Sequence, residues 1–173
     1  NQGVSSTLEG DGPFWLSTDI VGYPKTAPTP NENGITIERA WYTTDGKRFT
    51  GNQLTEGDTL IAVITVETKE DLPDALVVDL LPGGLEIENL ELSGNDTFSE
   101  LLIEGSRLDE NDWMREVRTE EFRDDRYVAA VKLLAHQPVR LYYLARAVSP
   151  GSYTVPPVNV EDMYRPQLSN VGT

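Results

Sequence analysis

Leu60 to Thr68 is apolar on both of its faces, with Leu60, Ala62, Ile64 and Val66 on one side and Ile61 and Val63 on the other. Successive strand residues point to opposite faces, so this segment needs a covering layer on each side. Around it the chain repeatedly alternates with a period of two. Ile35, Ile37 and Trp41 oppose Thr36, Glu38 and Tyr42 ahead of an Asp45-Gly46 turn, and Leu76 to Leu81 is followed by Pro82-Gly83-Gly84 and a further strand from Leu85 to Leu92. Tyr127 to Leu134 and Val139 to Val148 read as a hairpin closing around Ala135-His136-Gln137-Pro138. Short strands separated by frequent turns predict an all-β fold, an antiparallel Ig-like β-sandwich of about seven or eight strands.

The remaining segments set the boundaries. Residues 1–12 are polar and rich in Gly and Ser and read as a flexible lead, leaving 13–173 as one β-sandwich domain. Phe14 to Val21 is expected to be a first strand, with Phe14, Leu16 and Ile20 as its apolar candidates, and Pro24, Pro28 and Pro30 make residues 22–34 a surface crossover. Asn95 to Glu121 is spaced for one or two helical turns, a partly helical insertion that would pack Trp113 and Met114 against a sheet edge. A start at Asn1 without an initiator Met reads as a piece of a longer chain.

The segment from Arg140 to Pro166 bears most directly on function. An alternating strand leads through Ser149-Pro150-Gly151 into a second short strand, Pro156-Pro157 stops it, and Met163-Tyr164-Arg165-Pro166 follows as an exposed segment. An aromatic tip on a Pro-bounded loop, with no nucleophile and base beside it, suits contact more than catalysis. The plainer alternative is that Met163 and Tyr164 complete the domain's own core.

Chemistry is constrained mainly by exclusion. The chain has 14 Lys and Arg against 29 Asp and Glu, a net charge of −15, which repels nucleic acid and anionic membrane surfaces. There is no cysteine and one histidine, His136 in a turn, so neither a thiolate or Ser-His nucleophile nor a usual zinc site can be assembled. No apolar run approaches the roughly 18 residues of a membrane span. The acidic doublets Glu120-Glu121, Asp124-Asp125, Asp109-Glu110 and Glu161-Asp162 would point to opposite faces of a strand, and no hand-type calcium loop is present. No catalytic residue, metal or cofactor is expected. Arg123-Asp124-Asp125-Arg126 interleaves charges ahead of an apolar strand, which suits either internal pairing or contact with a partner.

Taken in order, Gly22-Tyr23-Pro24, Leu80-Leu81-Pro82-Gly83-Gly84-Leu85-Glu86-Ile87-Glu88, Arg123-Asp124-Asp125-Arg126 and the run through Pro150-Gly151 to Met163-Tyr164-Arg165-Pro166 resemble the last macroglobulin-like domain of a bacterial alpha-2-macroglobulin. The resemblance implies a macroglobulin-like sandwich within a protease trap, whose internal thioester between a Cys and a Gln lies in another domain. It further implies that Met163, Tyr164 and Arg165 shield that bond, with the thioester domain of the same parent chain as partner and target proteases reached through the parent. A periplasmic parent, anchored to the inner membrane, is implied in the same way. The fragment itself is expected to be monomeric. The rival reading is an Ig-like surface-adhesion or structural module that could bind calcium, and a carbohydrate-active sandwich would need two carboxylates facing across a groove.

Overall fold

The computed structural model describes residues 7, 9–13, 15–17, 19, 26, 28–31, 33–88, 102–103, 106–107 and 117–172. The strands are β1 (Ile35–Thr43), β2 (Thr59–Thr68), β3 (Leu72–Leu80), β4 (Leu85–Glu88), β5 (Leu102–Ile103), β6 (Ser106–Arg107), β7 (Val117–Arg123), β8 (Arg126–Leu133), β9 (Val139–Ala147), β10 (Asn159–Asp162) and β11 (Ser169–Val171). They form a four-stranded sheet in the order β1-β2-β9-β4, a five-stranded sheet in the order β11-β10-β3-β8-β7, and the short pair β5-β6. All the pairings are antiparallel. The β-sandwich is as expected, and it exceeds about seven or eight strands because β10 and β11 form beyond the prolines.

The two-faced strand explains the layering. Ala62, Ile64 and Val66 join Leu141 and Tyr143 of β9, Val77 of β3 and Tyr127 and Val131 of β8 in the core between the sheets. Ile61 and Val63 point away, and with Tyr42 and Leu144 they are covered by Ile103. Ile103 of β5 therefore covers part of the outer face of the four-stranded sheet. Among the described residues of Asn95–Glu121 there is no helix: β5, β6 and the start of β7 are strands. Ladder bonding of β7 to β8 overrides the helix-like spacing. Trp113 and Met114 lie outside the described residues.

Three further expectations need correction. Tyr127 to Leu134 and Val139 to Val148 are not a hairpin, since β8 pairs with β3 and β7 while β9 pairs with β2 and β4. The chain arches across the sandwich end at His136, whose φ is 60° and whose N–H donates to the Thr68 carbonyl at 2.8 Å. The two strands instead face each other through the core, with the Tyr127 and Tyr143 rings stacked at 5.1 Å. Second, residues 152–158 form no strand; Pro156 and Pro157 lack the N–H that a ladder requires, and β10 begins after them. Third, residues 15–17 and 19 are not in a strand, and Trp15 is 100% and Leu16 65% exposed. Phe14, Ile20 and the Gly22-Tyr23-Pro24 motif lie outside the described residues.

Candidate functional site

β10 runs beside β3, with Val160 opposite Val77 and Asp162 opposite Ala75. Beyond Asp162 the ladder gains one more bond, from the Met163 N–H to the Asp74 carbonyl at 2.9 Å, and the chain then turns through Tyr164, Arg165 and Pro166 into β11. Asp162 organises that turn. Its Oδ1 accepts the N–H groups of Tyr164 and Arg165, each at 2.9 Å, and its Oδ2 accepts Arg165 Nε at 3.1 Å and Nη2 at 2.7 Å. An Asp side chain bonding backbone N–H groups two and three residues on makes a tight turn without help from glycine. The Arg165 guanidinium, with the two backbone N–H groups, holds the Asp162 carboxyl below its ordinary value near 3.8. The Leu168 N–H closes the turn on the Arg165 carbonyl at 2.7 Å.

The base is laced as well. Asn170 donates to the Ile35 carbonyl at 2.6 Å and the Asn31 carbonyl at 3.1 Å, while its Oδ1 accepts the Asn31 N–H at 2.8 Å. Asn33 reaches the Gln167 carbonyl at 3.2 Å, and Arg118 pairs with Asp74 beside the Met163 anchor. On this fastened base Met163 is 44% and Tyr164 79% exposed, whereas Asp162 is 2% exposed. The tip therefore presents a thioether and a phenol ring outward, surfaces that exclude water from whatever they cover.

The other motif residues gather at the opposite end of the sandwich. Tyr153 lies over Gly84 and Gly151, where an added Cβ would sit 2.4 Å and 2.6 Å from its ring, and a Cβ added at Gly83 would sit 3.5 Å from it. Its hydroxyl donates to the Pro150 carbonyl at 3.1 Å, and the Leu85 N–H donates to the Pro82 carbonyl at 2.9 Å. Asp124 and Asp125 form the turn between β7 and β8. Arg126 binds Asp125 through Nε at 3.0 Å and Nη2 at 2.6 Å, and Arg123 binds Glu121 at 2.8 Å, so the arginines pair internally. An open depression of about 860 Å³ lies here, lined by Trp41, Phe49, Leu85, Tyr153 and Val155, with Glu56 as the only carboxylate among the described residues lining it. Among the described residues no group of three or more His, Asp or Glu side chains is placed to hold a metal ion. Asp109 and Glu110 lie outside them.

Sequence reasoning missed the polar group within the core. Asp79 of β3 accepts Arg39 Nη1 and the Tyr143 hydroxyl, the latter at 2.8 Å, and Arg39 Nη2 donates to the Pro156 carbonyl at 2.8 Å. Burial pushes the Asp79 carboxyl up against the opposing pull of Arg39 and Tyr143, and burial beside Asp79 drives the Tyr143 phenol well above its ordinary range. The signal was present: Arg39 falls in the inward register of Ile35, Ile37 and Trp41, and Asp79 in that of Ala75 and Val77.

Residues 34–167 match the family described as the bacterial alpha-2-macroglobulin MG10 domain. An alpha-2-macroglobulin of Xylella fastidiosa is 44% identical over 171 residues, covering 99% of this chain and 10% of that protein. The structure of native Escherichia coli alpha-2-macroglobulin from domain MG7 to the C-terminus superposes with a TM-score of 0.79 at 45% identity, over 88% of this chain and 24% of that one. The trypsin-activated Escherichia coli protein gives a TM-score of 0.76 at 44% identity, over 88% of this chain and 11% of that one.

Proposed function

The chain belongs to the bacterial alpha-2-macroglobulin MG10 domain family, and from that premise we propose that it serves a protease trap by shielding the thioester domain of its parent until a protease cuts. The observation carrying this reading is the contrast between an outward-facing Met163-Tyr164 pair and a base in which the N–H groups of Met163, Tyr164 and Arg165 are all bonded.

A thioester is lost when water or an amine attacks its acyl carbon and the thiolate leaves. Seating the Tyr164 ring and the Met163 thioether over that carbon removes the space a nucleophile needs. Burying two such side chains is worth a few kcal/mol, roughly 1.5–3 for a Met-sized group. That is enough to bias a two-state equilibrium and small enough for a rearrangement to reverse. After a protease cuts the parent, the tip departs and a lysine amine of that protease attacks the acyl carbon, expelling the thiolate and forming an amide. This domain then acts as a clamp with no catalytic step of its own. A neighbour described as trypsin-activated supports a protease as the trigger. Placing the parent in the periplasm, anchored to the inner membrane, belongs to the same proposal.

The test uses the full-length parent with Met163→Ala and Tyr164→Ala combined, following release of the thioester thiol under methylamine. Release faster than in the unsubstituted protein is expected. An unchanged rate removes the shielding role.

A further inference from the structure

We infer that Asp162 is the positioning residue of the tip: one buried carboxylate presents Tyr164 and Met163 in a single pose, so that removing it uncovers the thioester while both covering side chains remain. This inference rests on the shielding reading above and deepens it.

Three observations separate Asp162 from an ordinary core residue. Among the described residues, its carboxylate bonds only to Tyr164 and Arg165, through two backbone N–H groups and two guanidinium nitrogens. None of those bonds fastens one strand to another. The strand pairing of β10 is independent of it, since Asn159, Val160 and Glu161 keep partners on β3 and Asn159 to Glu161 keep partners on β11. The loss therefore falls on the tip and leaves the sheet tied. Lastly, the turn from Met163 to Leu168 contains no glycine, so its geometry depends on side-chain bonding to a degree that a glycine turn would not.

The physical consequence is a change in pre-organisation. With Asp162 present, the Tyr164 and Arg165 N–H groups are already satisfied, and docking the tip costs little ordering. Without it the Tyr164 N–H loses its acceptor, the Arg165 N–H keeps only its longer bond to the Asp162 main-chain carbonyl at 3.2 Å and its guanidinium is released, so the turn samples several conformations and only a fraction of the population matches the thioester site. Apparent shielding falls by that fraction. Asparagine keeps an oxygen for the two N–H groups and loses only the charge opposite Arg165. It should restore most of the shielding, with serine intermediate.

The experiment uses the full-length parent and methylamine as the attacking amine, with thiol release read by a thiol reagent. Asp162→Ala should speed release on the order of tenfold, approaching the rate of the Met163→Ala/Tyr164→Ala variant. The triple variant should be no faster than that double variant, because a lost pose cannot matter once the covering groups are gone. The order Ala, Ser, Asn, wild type should hold from fastest to slowest; should the alanine variant fail to fold, the order of the serine and asparagine variants decides. General loosening of the domain would instead add its factor on top of the double variant. The inference is overturned if Asp162→Ala releases thiol at the wild-type rate while the double variant is fast, or if the two effects multiply. A double variant at the wild-type rate defeats the shielding reading, and this inference falls with it.

Discussion

Arg39 of β1 reaches across the sandwich to Asp79 of β3, and the two side chains are 3% and 0% exposed. The Tyr143 hydroxyl completes the group from β9, and Arg39 also lies 5.4 Å from the Trp41 ring centroid. Both sheets and the Pro156 crossover are joined by one polar cluster.

Removing one partner leaves the other charged and unpaired in the core. Asp79→Ala should destabilise the chain by about 3–5 kcal/mol, read as a lowered urea midpoint with Trp fluorescence as the probe. Replacing the cluster together, as Arg39→Met, Asp79→Leu and Tyr143→Phe, should recover most of that loss because desolvation of the charges is removed along with their attraction. A single substitution costing less than about 1 kcal/mol would contradict the cluster's role.

Tyr153 and Gly84 should be energetically coupled. An alanine Cβ at position 84 would meet the Tyr153 ring at 2.4 Å and the Ser149 carbonyl oxygen at 3.1 Å. Gly84→Ala should cost about 1–3 kcal/mol, and less in a Tyr153→Ala background. The rescue should be partial, because the Ser149 carbonyl is backbone. Equal costs in the two backgrounds, measured by a double-mutant denaturation cycle, would exclude the contact.

Ile103 should matter as a cover for the outer face of the four-stranded sheet. It is buried against Tyr42, Ile61, Val63 and Leu144. Ile103→Ala should cost about 2–5 kcal/mol and increase binding of a hydrophobic dye. A stability change within about 0.5 kcal/mol would show that the outer face does not depend on it.

The pH dependence of Asp162 has a definite sign. Its carboxyl is held below the ordinary value of 3.8, chiefly by Arg165, so its stabilisation is present above that value and is lost as pH falls through the folded-state value. The denaturation midpoints of wild type and Asp162→Asn should differ by a constant amount near neutrality and converge in acid. A gap that widens toward low pH would reverse the assignment.

Much of this architecture was legible in residue pattern, and the exceptions share a cause. Period-two alternation marked β1 and β9, and the double-faced run at Leu60 to Thr68, which became β2, required a layer on each side. Which sheet each strand joins was not legible. A short connection such as Ala135 to Pro138 fits a hairpin and an arch equally, and the outcome depends on Tyr127 and Tyr143 meeting face to face across the core. The prolines at 156 and 157 were correctly seen as incompatible with a ladder, but they precede a strand instead of ending one. At the candidate site Met163, Tyr164 and Arg165 could be singled out by residue type, whereas the importance of Asp162 came only from where its oxygens point. As one half of the Glu161-Asp162 doublet it is expected only to face the opposite side of the strand from its neighbour. Its partner Glu161 is half-buried, while Asp162 turns inward to cap the tip.

The most direct measurement places a photoreactive benzoylphenylalanine at position 164 of the full-length parent and maps its adducts before and after trypsin treatment. Adducts on the segment carrying the thioester in the resting protein, lost after cleavage, are the expected result. Adducts confined to this domain's own strands, or an unchanged pattern after cleavage, would contradict a tip that covers the bond and then lets go.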